Sequence, residues 1–277
     1  MKVINISDPS YNDLGDNYPN CDVTVLSDVS AVTNDLHEPS VAWLNESPDI
    51  LEFYWCRVLQ NKGFSQENSF FTTLKNKLLN GDHVFKKLFT FDERYRGLPS
   101  VVMVPPATPS WVADEDARVY EKSKLVTFIT SNKECTSTQV ARVKLAKTLI
   151  ENNIDVVGKG FKDIDSKTNH LKDYFFAFAV ENGNHDGYHT EKILDCFRTG
   201  TVPVYYGDSK IGKVFDENGI IRIEEGSLDV NEMLSSLSKE LYEKMLPAIR
   251  HNLKVALNYQ YFAEDVMDMI VENLSNE

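Results

Sequence analysis

Short apolar runs separated by polar and turn-forming residues divide the chain into alternating strands and helices. Val3, Ile4 and Ile6 form a β-branched run that Ser7-Asp8-Pro9 closes, which is typical of a first strand. Further strands of the first part are predicted at residues 21–26, 41–44, 85–91 and 101–104. Because these runs recur between helical stretches, the pattern predicts an α/β fold.

A second series of strands and helices follows a stretch rich in proline and acidic residues. Pro105, Pro106 and Pro109 precede Asp114-Glu115-Asp116, where the passage between two domains is predicted. The pattern then predicts strands at 125–130, 154–157, 174–180 and 202–205, and helices at 138–152 and 190–198. From Asp229 onward it is nearly all helical, with an interruption expected at Pro247 and a last helix at 259–274. Two Rossmann-like halves with a ligand between them are compatible with this order.

Composition limits the classes of partner. The 277 residues contain 42 Asp and Glu against 29 Lys and Arg, so the formal net charge is -13. Such a charge disfavours broad attraction to nucleic acid or to anionic membranes, and an anionic ligand must be held by a few local cations. No apolar leader follows Met1 and no apolar run approaches the length of a transmembrane segment. The four cysteines, at positions 21, 56, 135 and 196, form neither a disulfide framework nor a zinc pattern, so a cytoplasmic location is expected.

Residues 176–192 carry the densest candidate chemistry. A predicted buried strand ends at Glu181-Asn182 and opens into a glycine-containing loop, after which Thr190 is placed to cap a helix. The start of a helix offers free backbone N–H groups, and Lys192 adds a full positive charge, so a diphosphate would bind well there. A phosphate would repel Glu191, whose carboxylate suits the hydroxyls of a ribose or a sugar. The same stretch is also typical of a capped surface helix with ordinary Glu and Lys side chains.

The order and spacing of several motifs resemble those of the family 10 α-1,3/4-fucosyltransferases. The motifs are Glu181-Asn182, Tyr188, Thr190-Glu191-Lys192, Gly200-Thr201-Val202-Pro203-Val204 and Tyr206-Gly207. Upstream, Ser131-Asn132 followed by Arg142 resembles the entry to the donor domain of the same family. Residues 43–48, which contain Glu46, resemble its acidic acceptor-domain motif. Together the similar residues extend from about residue 41 to about residue 223.

The resemblance implies an inverting glycosyltransferase of the GT-B type, with two Rossmann-like domains facing a cleft. Its reaction would move fucose from GDP-fucose to a hydroxyl of an acceptor oligosaccharide. The implied domains are 1–117 on the acceptor side and 118–258 for the GDP-sugar donor. A C-terminal helix at 259–277 would follow, and packing back onto the N-terminal domain is one arrangement open to it.

The resemblance also assigns roles to five donor-site residues. Arg142 and Lys192 would contact the diphosphate, and Glu191 the hydroxyls of ribose or fucose. Asn182 and Tyr188 would contact further parts of the donor. The residue chemistry alone supports Lys192, but it would make Arg142 an ordinary solvated helix arginine.

Inversion requires a base for the proton of the attacking hydroxyl, and Glu46 is the candidate. It follows a predicted apolar strand, where a carboxylate facing the interdomain cleft would have a raised pKa. A helix-start carboxylate before Pro48 is the structural alternative. Bacterial members of the family often carry an acidic residue two positions earlier, where this chain has Leu44. Another carboxylate of the N-terminal half therefore stays open as the base.

No cofactor or metal is expected. Asp163-Ile164-Asp165 and Asp114-Glu115-Asp116 imitate the metal-binding DxD motif of other glycosyltransferases, but such triplets arise readily in so acidic a chain. His185 and His189 flank the candidate loop without a clear third ligand, so zinc is not predicted. Two other functions remain open: a transferase that uses another GDP-sugar, and a non-catalytic protein that binds a nucleotide sugar or a glycan.

Overall fold

Contacts divide the chain into two units, each with its own parallel sheet. The computed structural model describes residues 1–5, 13, 16–17, 23–28, 30–33, 40–61, 69–83, 85–224, 226, 229–259 and 261–275. Unit 1 comprises Met1–Ala107, His185–Tyr188 and Tyr261–Glu277, and unit 2 comprises Thr108–Asn184 and His189–Gln260. Ile6, the turn at Ser7-Asp8-Pro9 and Cys21, which belong to the first two predicted strands and the turn between them, lie outside the described residues.

Unit 1 contains a five-stranded sheet in which the strands follow one another in sequence order, all parallel. The strands are β1 Lys2–Asn5, β2 Thr24–Ser27, β3 Ser40–Leu44, β4 Leu88–Thr90 and β5 Val101–Met103. The helices are α1 Ser30–Thr33, α2 Pro48–Asn61, α3 Phe70–Asn80 and, from the end of the chain, α9 Ala263–Ser275. Strand β4 is shorter than the predicted run of 85–91. It ends at Thr90, after which Asp92 caps a 3-10 turn by accepting from the backbone N–H of Arg94.

Strand β3 is buried on both of its faces. Ala42 and Leu44 belong to one apolar cluster, with α2 and α3, whereas Val41 and Trp43 belong to another. The second cluster includes Val266, Met267 and Ile270 of α9. Successive side chains of a strand point to opposite faces, so burial on both faces gives a continuous apolar run instead of alternation. The fold of unit 1 therefore depends on residues from both ends of the chain.

Unit 2 contains a second five-stranded parallel sheet, with strand order β10-β9-β8-β6-β7. The strands are β6 Lys124–Ile129, β7 Asp155–Val157, β8 Tyr174–Val180, β9 Val202–Tyr206 and β10 Ile221–Arg222. The helices are α4 Ser137–Glu151, α5 Lys167–Leu171, α6 Glu191–Arg198, α7 Val230–Ser236 and α8 Lys239–Asn258. Helix α8 continues through Pro247, contrary to the expected interruption. Pro247 and Glu243 are both exposed, so water can satisfy the carbonyl that lost its N–H partner.

The carboxyl ends of β8 and β9 meet at one edge of this sheet. The two strands pair from Phe176 with Val202 to Val180 with Tyr206, so the residues that follow them, Glu181 and Gly207, are neighbours. Among the described residues, no helix is both long and apolar enough to cross a membrane.

Candidate functional site

Glu181 joins the end of β8 to the start of α6 through hydrogen bonds of its side chain. Its buried carboxylate accepts hydrogen bonds from the Thr190 backbone N–H (2.8 Å), the Thr190 hydroxyl (2.7 Å) and the Lys192 ammonium (2.9 Å). Thr190 holds the N-cap position, yet its hydroxyl makes no cap hydrogen bond because it is directed to Glu181. A Cβ atom at Gly207 would lie 2.6 Å from Cγ of Glu181, so the absence of a side chain there permits this arrangement. The sequence motif includes Glu181, but sequence reasoning assigned it no role.

The Lys192 ammonium lies among oxygen atoms at the start of α6. It contacts Oε2 of Glu181 at 2.9 Å, Oγ1 of Thr190 at 2.7 Å and, more distantly, Oε1 of Glu191 at 3.8 Å. Burial by itself would lower the pKa of Lys192, but the carboxylates of Glu181 and Glu191 outweigh it and raise the pKa. Lys192 is therefore charged at neutral pH, while 21% of its side chain remains exposed.

Helix α4 brings Arg142 to the same place. Arg142 lies on the buried face of the helix together with Gln139, Val143 and Ala146, and 5% of it is exposed. Its guanidinium donates from Nη1 to Oδ1 of Asn182 at 2.9 Å. The charge of Arg142 also acts on the pKa of Lys192, in the lowering direction. Arg142 and Lys192 thus form one cationic group, in which Asn182 is the hydrogen-bond partner of Arg142, and Arg142 is not a solvated helix arginine.

Glu191 places a negative charge beside these cations. Its Oε1 lies 3.4 Å from the Lys167 ammonium and 3.8 Å from that of Lys192. Burial would raise the pKa of Glu191, but Lys192 and Lys167 outweigh it and lower the pKa to about 2. An ionised carboxylate accepts hydrogen bonds and donates none, so Glu191 is suited to bind hydroxyl groups.

Lys167 and Asp195 extend the charged group, and sequence reasoning missed both. Lys167, at the start of α5, contacts Oδ2 of Asp195 at 2.8 Å. The buried Asp195 carboxylate also accepts from the Ser110 hydroxyl (2.6 Å) and the Trp111 backbone N–H (2.8 Å). Burial raises the pKa of Asp195 against the opposing effect of Lys167. Asp195 lies one turn after Glu191 on the same helix, a spacing that places both on one face. No comparable signal in the sequence marks Lys167.

Two of the sequence-predicted residues belong to unit 1. The Tyr188 side chain is buried, and its ring centroid lies 5.4 Å from that of Phe91. Glu46 follows β3 and is half-buried, and its backbone N–H donates to Oδ1 of Asp28 at 3.2 Å. The same oxygen accepts from the backbone N–H of Asn45 at 2.9 Å, so a buried carboxylate fixes the backbone at Glu46.

Three of the residues considered for metal binding, His185, His189 and Asp114, have other partners. His185 lies 3.4 Å from Oδ1 of Asp49, whereas His189 stacks on Tyr259 with ring centroids 5.3 Å apart. Asp114 pairs with the buried guanidinium of Arg198. Within the part of the chain that the structure describes, no three His, Cys, Asp or Glu side chains converge as a metal site.

Residues 119–245 match the family described as glycosyltransferase family 10 (fucosyltransferase) C-term. A segment of 63 residues, 23% of this chain, is 30% identical to the α-(1,3)-fucosyltransferase FucT of Helicobacter pylori, of which it spans 13%. A solved α1,3-fucosyltransferase with GDP is similar over 90% of this chain and 82% of its own, with a TM-score of 0.51 and 15% identity. TarM is similar over 90% of this chain and 54% of its own, with a TM-score of 0.52 and 9% identity. The predicted α/β fold of the GT-B type is confirmed.

Proposed function

We propose that this chain, whose residues 119–245 match the model of glycosyltransferase family 10, transfers fucose from GDP-fucose to a hydroxyl of an acceptor oligosaccharide with inversion. The observation that carries the proposal is the cationic group of Arg142 and Lys192 beside the ionised Glu191. In a chain with a net charge of -13, two adjacent cations with a carboxylate suited to hydroxyls match a diphosphate that joins a ribose to a sugar.

The two cations have different tasks in this proposal. Two donors of the Lys192 ammonium serve Glu181 and Thr190, and the third is available to a phosphate oxygen. Arg142, oriented by Asn182, supplies a planar guanidinium to the same diphosphate. Because negative charge grows on GDP as it departs, fixed cations stabilise the transition state more than the ground state. Glu191 binds hydroxyls of ribose or fucose, and Tyr188 contacts a further part of the donor.

Glu46 is the proposed general base. It would take the proton of the acceptor hydroxyl while that oxygen bonds to the anomeric carbon of fucose and the bond to GDP breaks. In support of this role, the side chain is half-buried and the backbone at Glu46 is fixed by Asp28.

We also propose that transfer needs no metal, because Arg142 and Lys192 already place positive charge at the diphosphate. Activity should persist in EDTA. Activity lost on chelation and restored by manganese would contradict this and would direct attention to Asp163-Ile164-Asp165. A cytoplasmic location, expected from the cysteine pattern, fits the free thiols of Cys56, Cys135 and Cys196, and cell fractionation would test it.

A donor screen tests the proposal. Calorimetry with GDP-, UDP- and CMP-sugars should show binding of GDP-fucose, and GDP should be released when a glycan acceptor is added. Binding of GDP-mannose instead would keep the site and change the sugar. Failure of all GDP-sugars to bind would overturn the proposal.

A protein that binds a nucleotide sugar without catalysis is the second candidate. Leu44, where bacterial members of the family often carry an acidic residue, is buried in the core of unit 1 and favours it. Binding of GDP-fucose without turnover across a glycan panel would support this candidate, whereas acceptor-dependent release of GDP would exclude it.

A further inference from the structure

Five charged side chains of unit 2 alternate in sign. Glu181 pairs with Lys192, which lies near Glu191, and Glu191 pairs with Lys167, which pairs with Asp195. The proposed mechanism uses Lys192 and Glu191 and leaves the Lys167–Asp195 pair without a task. Lys167 and Glu191 keep 19% and 24% of their side chains exposed, so both are accessible at the site.

We infer that Lys167 is a positioning residue for the donor: it shares the Glu191 carboxylate with Lys192 and keeps it directed at the donor hydroxyls. The inference rests on the proposed function and adds a residue to it. Lys167 would touch neither the diphosphate nor the reacting atoms.

The position of Lys167 is set by groups on two segments, α6 and residues 110–111. Asp195 on α6 binds its ammonium at 2.8 Å, and the Ser110 hydroxyl and Trp111 backbone N–H hold Asp195 from the other side. The Trp111 ring lies 4.9 Å from the same ammonium. A lysine side chain is flexible, and a charge fixed by a buried carboxylate and covered by an indole ring loses that freedom. Lys167 is therefore a stationary cation beside Glu191.

Removal of Lys167 would change both the orientation and the charge of Glu191. The groups that act on this carboxylate are Lys192, Lys167 and the Thr190 hydrogen bond, while the nearby Asp195 carries a charge of the same sign. Without Lys167, Glu191 would have Lys192 as its nearest cation and would compete with the diphosphate for it. Its pKa would also rise, because one of the two lysines that lower it is gone.

The test is a double-mutant cycle with GDP as the probe. Lys167→Met should weaken GDP binding about tenfold at pH 7, and Lys167→Arg should restore most of it. In a Glu191→Gln background, Lys167→Met should have no further effect, since no carboxylate remains to be positioned. Lys172→Met is the control, because Lys172, immediately after α5, donates to the exposed Asn169 side chain. If Lys167→Met does not fold, Lys167→Gln keeps a hydrogen-bond donor for Asp195 and replaces it.

A pH series separates positioning from a structural role. The ratio of wild-type to Lys167→Met affinity is followed from pH 7 to pH 4, because the terminal phosphate of GDP itself titrates at about pH 6 and affects both proteins alike. Glu191 of the wild type, with its pKa near 2, remains ionised throughout. The ratio should shrink as the pH drops toward 4, since the raised pKa in Lys167→Met protonates Glu191 and ends its competition with the diphosphate for Lys192. Equal affinities at pH 7, a ratio that stays constant over the series, or additive effects in the cycle would overturn the inference alone. A wild type that binds no GDP would overturn the proposed function, and this inference with it.

Discussion

Glu181 and Lys192 form an ion pair whose two partners differ in exposure. The carboxylate is fully buried, whereas 21% of the lysine side chain remains exposed. Removal of one partner from such a pair leaves the other as an uncompensated buried charge, which costs more than the pair contributes. Lys192 consequently affects both the stability of unit 2 and the charge offered to a ligand, and experiments on it must separate the two.

Lys192→Ala should weaken GDP binding by about 1.5–3 kcal/mol, the range for a charge-assisted hydrogen bond. Calorimetry measures the affinity, and a thermal melt first establishes that the variant is folded. Lys147→Ala, an exposed position on α4, is the matched control and should leave GDP binding unchanged. Wild-type GDP affinity in a folded Lys192→Ala would remove Lys192 from the donor site.

Glu46→Gln should lower turnover on the order of a hundredfold or more and leave GDP affinity near that of the wild type. Glutamine keeps the shape of the side chain and much of its hydrogen bonding, but it does not accept the proton. Initial rates with GDP-fucose and an acceptor that the wild type uses give the measurement. Asp82→Asn, an exposed carboxylate of the same unit, is the control. Near-normal turnover in Glu46→Gln would assign the base to another carboxylate.

At the residue scale, the sequence identifies site residues that follow one another in a motif. It does not identify those that reach the site from a distant part of the chain. Glu191 and Lys192 follow a strand, a glycine-containing loop and a helix start, and local physics explains that order. Lys167 reaches Glu191 from a different helix, 24 positions earlier in the chain. Burial of Arg142 likewise depends on how α4 packs against the rest of unit 2, and the sequence pattern of the helix alone does not show this.

At the element scale, Lys122 links the ends of two helices of unit 2. Its ammonium donates to the carbonyl of Leu171 in α5 (3.4 Å), the carbonyl of Thr199 after α6 (2.7 Å) and the Thr201 hydroxyl (2.9 Å). Burial lowers the pKa of Lys122 from its ordinary value of 10.5 to about 7, although Cys196 and Asp173 act in the opposite direction. These helix ends are thus held by a lysine that titrates near neutral pH.

The pH dependence of stability should report this lysine. Between pH 7 and about 10 the unfolded chain binds the proton that folded Lys122 has released, so the folded state gains stability as the pH rises. The stability of the wild type relative to Lys122→Met should therefore increase over this range, by at most roughly 1.4 kcal/mol per pH unit. Urea unfolding of both proteins at pH 7, 8 and 9 gives the difference. The exposed Lys144→Met is the control, and a constant difference across the series would contradict the assignment.

The central strand β8 was readily predicted, whereas the bounds of β4 and the presence of α5 were not. The run at 174–180 matches β8 residue for residue, since a central parallel strand is apolar throughout. Strand β4 has three residues and α5 has five, and elements this short carry too few positions for periodicity to define. At Pro247 the pattern predicted an interruption, but α8 continues because the proline occupies an exposed position of the helix.

At the scale of the whole molecule, the two units differ in how the chain builds them. Apart from residues 185–188, unit 2 comes from the continuous stretch Thr108–Gln260. Unit 1 joins the first 107 residues to Tyr261–Glu277, and Val266, Met267 and Ile270 of α9 are fully buried against it. No local sequence pattern predicts this pairing, because α9 and β3 are separated by the whole of unit 2.

Ile270→Ala should destabilise unit 1 by about 2–5 kcal/mol, the usual cost of a large-to-small change in a core. Hydrogen exchange should then show lost protection at the amides of β3, with a smaller change at those of β8. Ile150→Ala, at an exposed isoleucine of α4, is the control and should alter neither strand. Equal loss in β3 and β8 after Ile270→Ala would show that α9 supports the two units alike.

The place of α9 also sets the order in which a nascent chain reaches its folded state. Translation at about 5–20 residues per second leaves the apolar face of β3 and β4 uncovered for on the order of ten seconds before residues 266–270 emerge. Synthesis of unit 1 therefore begins first, and its folding is completed last. During that interval its open sheet offers apolar surface to chaperones, and to other nascent chains when chaperones are scarce. The yield of intact protein in an expression host should accordingly depend on chaperone supply.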